Sequence, residues 1–387
     1  MAKSASAANA ASRGSANGAP ILSTRALNRA LLARQMLLER SDRSIPEALR
    51  HLFGMQAQAP FPPYFGLWSR LRNFDPDELG ALLESRQAVR LSLLRDTVHL
   101  VMSDDALFLR PLLADMLEHH LTVGSVYAKR LGGLDTREVA EFGRTLVETQ
   151  PRTIAELATL LTERWPDHDG EAMAMVVRNL VPLVQIPPRG VWGKSGLARC
   201  TSLESWLDAE LPTDPSIETM ILRYLAAYGP VTVMDAQAWC GLTRLGEVFE
   251  RLRPQLVTFR DEQGKELFDL SDAPRPDTET PAPPRFVPEY DNLLLSHADR
   301  TRVMSDTHRQ AMWSRNGVVP GSLLVDGFAT GTWKIRQNKK EATLWIRIHT
   351  PISTPDRSAV EEEGWPLLAF ATPDDAQRSI VFEDSRE

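Results

Sequence analysis

Two cysteines, Cys200 and Cys240, are all that the 387-residue chain contains, and neither stands in a CxxC pair or at zinc-ligand spacing. A disulfide framework and a structural metal are therefore not expected, and the chain reads as a cytoplasmic protein with no metal and no cofactor. No apolar run reaches the eighteen residues that a membrane span requires. Positive charge is also in short supply: 44 Lys and Arg stand against 51 Asp and Glu, a formal net charge of -7. That balance argues against nucleic-acid binding through global charge while leaving room for a local basic face. The cations are mostly arginine, which favours forked contacts wherever a phosphate is met. Also lacking are a Gly-x-Ser-x-Gly elbow, a phosphate-cradling P-loop and a dinucleotide fingerprint. His119, His120 and His168 lie among carboxylates without metal spacing, and Glu361, Glu362 and Glu363 read as a solvated charge run. The first twenty residues, rich in Ala, Ser, Gly and Asn, have no apolar signal-peptide core and are expected to be a disordered tail.

What the chain does contain is an ordinary share of hydrophobic residues, 43%, in helical and then alternating patterns. Residues 24–38 predict an amphipathic helix capped by Ser23 or Thr24, and residues 45–53 a second one capped by Ser44. A third opens at Asp75-Pro76, and strands at 89–94 and 97–101 close the group as a hairpin. Three helices and a hairpin make a winged helix, and the pattern recurs twice. The second copy has helices at 103–121, 135–148, 153–161 (opened by a Thr153-x-x-Glu156 capping box) and 170–183, with a wing at 183–192. The third has helices at 215–228, 231–242 and 244–252 before a hairpin at 256–270. A proline-rich linker over 274–288 leads into strands at 292–296, 302–304 and 322–348. The expected fold is α+β: three tandem winged-helix motifs followed by a small C-terminal antiparallel β-barrel. The expected boundaries are a tail over 1–20, winged helices over 21–102, 103–205 and 206–273, and the linker and barrel over 274–387.

Three winged helices in tandem point to nucleic acid, and a few residues stand out as contacts. Lys334, Arg336, Lys339 and Lys340 gather against only Glu341, a local excess suited to phosphates, although a solvated hairpin tip has the same composition. The segment His297-Ala298-Asp299-Arg300-Thr301-Arg302 is expected at a hairpin turn, where a protruding arginine would suit a minor groove and Asp299 would buttress it. The candidate catalytic pair is Gln56 and Gln58, beside a proline-rich aromatic loop over 59–64. On an extended segment two residues two apart face the same way, whereas on a helix they diverge by roughly 200°. Neutral amides can grip one water or one base edge but do not serve as strong general bases. The plainer alternative makes them caps of a helix end.

Taken together, Gln56-Ala57-Gln58, the three winged helices and the stretches 291–300 and 325–333 resemble the AlkZ family of bacterial DNA glycosylases, from about Ser23 to the C-terminus. The family carries Gln-x-Gln in its catalytic centre where the sister YcaQ group has Gln-x-Asp, so the resemblance implies catalytic roles for Gln56 and Gln58. It also implies an enzyme acting on double-stranded DNA that carries alkylated guanine; a monomer is expected, and a monofunctional one, since no lysine is evidently placed for a lyase step through a Schiff base. The expected activity is excision of bulky N7-alkylguanines and unhooking of interstrand crosslinks, as self-resistance to a DNA-alkylating natural product. The family's minor-groove hairpin would fall near His297 to Arg302, so His297, Arg300 and Arg302 join the charge-selected Lys334, Lys339 and Lys340 as the expected DNA contacts. The chemistry agrees with the residues: an N7-alkylated guanine is cationic and leaves as a neutral base, so it needs little acid assistance. What remains is to hold water and to stabilise a developing positive charge, which amide oxygens can do. The competing reading is a winged-helix transcription regulator or DNA-binding module without catalysis.

Overall fold

Short-range polar contacts set most helix starts. Glu47 accepts from the Ser44 N–H at 2.8 Å and from its hydroxyl at 2.7 Å, opening the helix Ile45–Leu52. Thr153 and Glu156 form the anticipated reciprocal box on Ile154–Arg164, and Thr232 with Asp235 forms another on Val233–Cys240. The computed structural model describes residues 19–122, 125–312, 318–338, 340–373 and 376–384. Among them no helix is long and apolar enough to cross a membrane.

The strands in chain order are β1 (Met55–Gln56), β2 (Ala88–Ser92), β3 (Val98–Met102), β4 (Leu183–Gln185), β5 (Cys200–Ser202), β6 (Leu256–Arg260), β7 (Glu266–Leu270), β8 (Arg285–Val287), β9 (Gly321–Val325), β10 (Phe328–Gln337), β11 (Glu341–Ile348) and β12 (Gln377–Asp384). The first five form one sheet in the order β1-β3-β2-β4-β5, so the first two hairpins are joined through Leu91 opposite Val184. β4 returns through β5 and not through 191–192 as expected; residues 187–193 instead form a turn that covers Tyr64, whose hydroxyl donates to the Gly190 carbonyl at 2.7 Å. β6 and β7 make the third hairpin.

The C-terminal sheet runs β12-β11-β10-β9-β8. It is antiparallel except for β11 and β12, which are parallel from Glu341 opposite Gln377 to Ile348 opposite Asp384. The departure from an all-antiparallel arrangement follows from the connection: helix Thr354–Ala371 carries the chain back across the sheet before β12, the kind of long crossover a parallel pair requires. On that helix Glu363 is not a solvated charge, since it accepts from Arg40 at 2.6 Å and Arg285 at 3.2 Å.

Two further expectations change. Residues 292–304 are not a hairpin: Asp291 caps a single turn over Asn292–Leu294 by accepting from the Leu293 N–H at 2.9 Å, and Leu293, Leu294, Val303 and Met304 all enter the core. A short apolar run fits a strand or a buried turn equally well by pattern. The expected proline-rich loop over 59–64 is not all loop, and the helix before the glutamines stops well short of it. That helix ends at Phe53 and Gly54, both with left-handed backbone, while Pro62 and Pro63 open a new helix, Pro62–Arg70.

The largest core takes residues from helix Thr24–Arg34, the β2–β3 hairpin, the third helical group and the segment after β8. Trp239 lies at its centre, stacked on Tyr224 (centroids 4.6 Å apart) and Phe53 (5.8 Å). Two fully buried forked ion pairs cross between elements: Arg34 with Asp269 at 2.7 and 2.8 Å, and Arg70 with Asp291 at 2.9 and 2.8 Å. Two of the third group's arginines are spent internally, Arg251 on Glu218 and Arg253 on Glu250 and Glu266, and Arg223 pairs with Asp105. Its last helix, Gly246–Leu252, buries Val248, Phe249 and Leu252. This group therefore acts as a packing partner of the first one.

Candidate active site

Gly54, at φ 91°, turns the chain out of helix Ile45–Leu52 and directly into β1. A side chain there would meet Val101 Cγ1 at 2.4 Å, so the tight turn that delivers the glutamines requires glycine. β1 pairs with β3, placing Met55 opposite Leu100 and Gln56 opposite His99. The extended course continues: the Ala57 N–H donates to the Val98 carbonyl at 2.7 Å, and Gln58 Oε1 accepts from the Val98 N–H at 3.0 Å. Gln56 thus closes β1 and Gln58 lies just beyond it, tied to the β3 backbone through its side chain, and neither caps a helix.

Gln56 is buried, whereas Gln58 is exposed at the sheet edge. The Gln56 amide is oriented by Arg95, whose Nη2 donates to Oε1 at 2.9 Å and whose Nη1 donates to the Trp239 carbonyl. Arg95 belongs to the β2–β3 turn and adopts φ 55°. Burial pulls its pKa down to about 10, and the charge of nearby Arg300 acts in the same direction, yet it remains a cation at neutral pH. Each amide oxygen has one protein donor and keeps a second lone pair. Across the strand pair, His99 is fully buried, its Nδ1 on the Thr97 carbonyl at 2.9 Å and its Nε2 without a partner. Burial, then the repulsion of Arg95, pushes its pKa down to about 3. It is neutral at physiological pH and is no acid for a departing base.

From the opposite face Arg90 fixes the loop after the glutamines, donating to the Ala57 carbonyl at 2.9 Å and the Pro60 carbonyl at 3.0 Å. Burial, with the charge of Arg189, lowers its pKa to about 10. Phe61 and Phe65 pack edge to face on Trp192 beneath that loop, Tyr64 lies tilted against the same ring, and Phe65 continues to Trp333 of β10 at 5.7 Å. Arg90 and Arg95 gave no sign in the sequence of being site residues. Their only local signal is arginine within an otherwise apolar hairpin.

The expected DNA contacts separate into three groups. His297 and Arg302 are buried, 1% and 4% exposed. The imidazole Nε2 contacts the Tyr228 carbonyl at 3.0 Å, and Arg302 donates to the Pro230 carbonyl at 2.7 Å beside Asp235. Burial and Arg302 lower the His297 pKa. These two side chains hold the 297–304 segment against the third helical group and present nothing to a groove. Asp299 is 3.5 Å from Lys265 and accepts from the Thr301 N–H and hydroxyl. Arg300 is half-buried near Arg95, on the glutamine side of the molecule. Lys334 and Lys340 are exposed on the β10–β11 hairpin, where Arg336 lies over the Trp345 ring at 5.0 Å, and Lys339 is outside the described residues.

The arrangement offers two oriented neutral amides, a pair of cations behind them and a protruding basic hairpin. A search of curated proteins finds no match for the chain. Among solved structures it is similar to the Streptomyces sahachiroi DNA glycosylase AlkZ, with a TM-score of 0.75 at 21% identity, over 93% of this chain and 100% of that one. That likeness supports the fold. The family model described as DNA glycosylase AlkZ-like matches residues 49–370, and on that match the chain belongs to the AlkZ-like family of DNA glycosylases.

Proposed function

We propose that this DNA glycosylase is monofunctional and hydrolyses the N-glycosidic bond of bulky N7-alkylguanines in double-stranded DNA. The same reaction unhooks interstrand crosslinks anchored at N7, and the protein works as a cytoplasmic monomer that protects its host from a DNA-alkylating natural product. The observation that carries the reading is the pair Gln56 and Gln58 beside β3, with Gln56 oriented by Arg95, Gln58 by the Val98 N–H, and the neighbouring histidine held neutral. Such a site has dipoles to aim and no strong acid to give. It suits a leaving group that already carries the positive charge, because the C–N bond breaks to release a neutral base without protonation. The free lone pair of each amide oxygen would hold the attacking water and face the developing charge on the sugar. Arg300, Lys334, Lys339 and Lys340 are assigned to the phosphate backbone, while Arg95 positions Gln56.

The test is incubation with a duplex carrying N7-methylguanine. Free modified base and an alkali-labile abasic site are expected, with no strand cleavage before alkali. Uracil in the same context should be released poorly, because it lacks the built-in activation. Binding without base release would favour the non-catalytic reading.

A further inference from the structure

A recess of about 220 Å³ opens directly beside the catalytic strand, with Ala59 and Pro60, the residues following Gln58, on its wall. Its floor is apolar and aromatic, formed by Phe61, Phe65, Trp333 and Ile335. Gly321 makes room for it: a Cβ there would sit 2.9 Å from the Trp333 indole, which lies against β9 and donates to the Val287 carbonyl at 2.8 Å. At the rim stands Glu289, whose carboxylate has no cationic partner among the described residues, and whose pKa is raised by desolvation alone. Lys334 reaches the same rim, and no ion pair joins it to Glu289 among the described residues. An unpaired carboxylate beside edge-to-face aromatic rings is an environment that favours a cation with a flat apolar body. The volume is below the roughly 300 Å³ at which pockets begin to enclose whole drug-sized ligands, so it suits a substituent better than a complete nucleotide.

We propose that this recess is the specificity site for the lesion: it receives the planar apolar substituent carried on N7, with Glu289 facing the positive charge of the alkylated ring. The inference rests on the N7-alkylguanine reading above and adds to it the means by which bulk is accepted. Lys334, beside the opening, is left for a backbone phosphate, so the two rim charges address the two signs of a cationic adduct within a polyanion.

Two variants test it on duplexes carrying either N7-methylguanine or an N7-guanine adduct bearing a fused aromatic ring. Ile335→Trp fills the floor and should lower the ratio of kcat/KM, bulky over methyl, by about tenfold or more, the scale on which apolar pockets discriminate. Glu289→Gln, a conservative exposed change that does not challenge folding, should reduce the preference in Kd for adducted over undamaged duplex by roughly threefold to tenfold. An unchanged ratio in a folded Ile335→Trp together with an unchanged preference in Glu289→Gln overturns the recess assignment. If wild type releases N7-methylguanine while both variants behave as wild type, only this inference fails. If wild type releases neither N7-methylguanine nor the bulky adduct, the underlying reading fails and takes this one with it.

Discussion

At the scale of single residues, the glutamines declare themselves in the sequence and their supports do not. Gln56-x-Gln58 carries its own geometry, because side chains two apart share a face once the backbone is extended. Arg95 is 39 positions away, and only the pairing of β1 with β3 brings its guanidinium to Gln56 Oε1. In a one-dimensional reading it is simply a turn residue between two strands. Removing it leaves Gln56 Oε1 and the Trp239 carbonyl without their donor. Arg95→Ala should therefore slow base release by about 10- to 100-fold, in kcat far more than in KM, since it positions a catalytic group and does not hold the duplex. Single-turnover kinetics at saturating enzyme measure this; a loss confined to DNA affinity would make Arg95 a phosphate contact instead.

At the scale of elements, what was legible is what is local. The capping boxes at Ser44 and Thr153, the hairpins β2–β3 and β6–β7, and the helices between them all rest on contacts within a few residues. The parallel β12 was not legible, because nothing in its own sequence records which strand it joins after helix Thr354–Ala371. Residues 292–304 were misread for a related reason: their leucines fit a strand, and it is the buried pair of Arg70 with Asp291 that holds them in a turn. The junction from helix to strand at Gly54 depends on backbone alone. Gly54→Ala combines a left-handed backbone with a clash on Val101, so it should destabilise the protein by roughly 1–3 kcal/mol and displace the glutamines. Denaturant unfolding alongside base release checks both effects, and a wild-type midpoint would show that the turn can relax.

For the whole molecule, an acidic chain that binds a polyanion must rely on few cations, and those proposed are Arg300 and the lysines of the β10–β11 hairpin. For about four to six neutralised phosphates, the logarithm of affinity should fall with the logarithm of salt concentration with a slope of about -4 to -5. Lys340→Glu should lower affinity with an unchanged melting temperature. A flat salt response would remove the localised basic face from the account. Stability should depend on pH in one direction. The folded pKa of His99, about 3, is below its unfolded value, and that of His297 is also lowered. Both residues are neutral in both states above about pH 6.5, so their contribution is level there. As pH falls below that value only the unfolded chain takes up the protons, and stability drops by up to about 1.4 kcal/mol per pH unit for each histidine. Melting temperatures measured from pH 8 down to 5 should fall on the acid side; a constant value would contradict the burial of these rings as neutral groups.

The central claim is that an amide pair without a titrating partner performs the cleavage. Single-turnover release of N7-alkylguanine by Gln58→Ala, at fixed pH and with melting temperature and DNA affinity checked, tests it most directly. The expected result is release slowed by about 10² to 10³ with fold and affinity retained. Gln56→Ala should behave alike, and Gln58→Asp should stay near wild type, because a carboxylate holds the same water and stabilises positive charge better than an amide. Release by Gln58→Ala at the wild-type rate would contradict the account and leave the glutamines as parts of a strand edge.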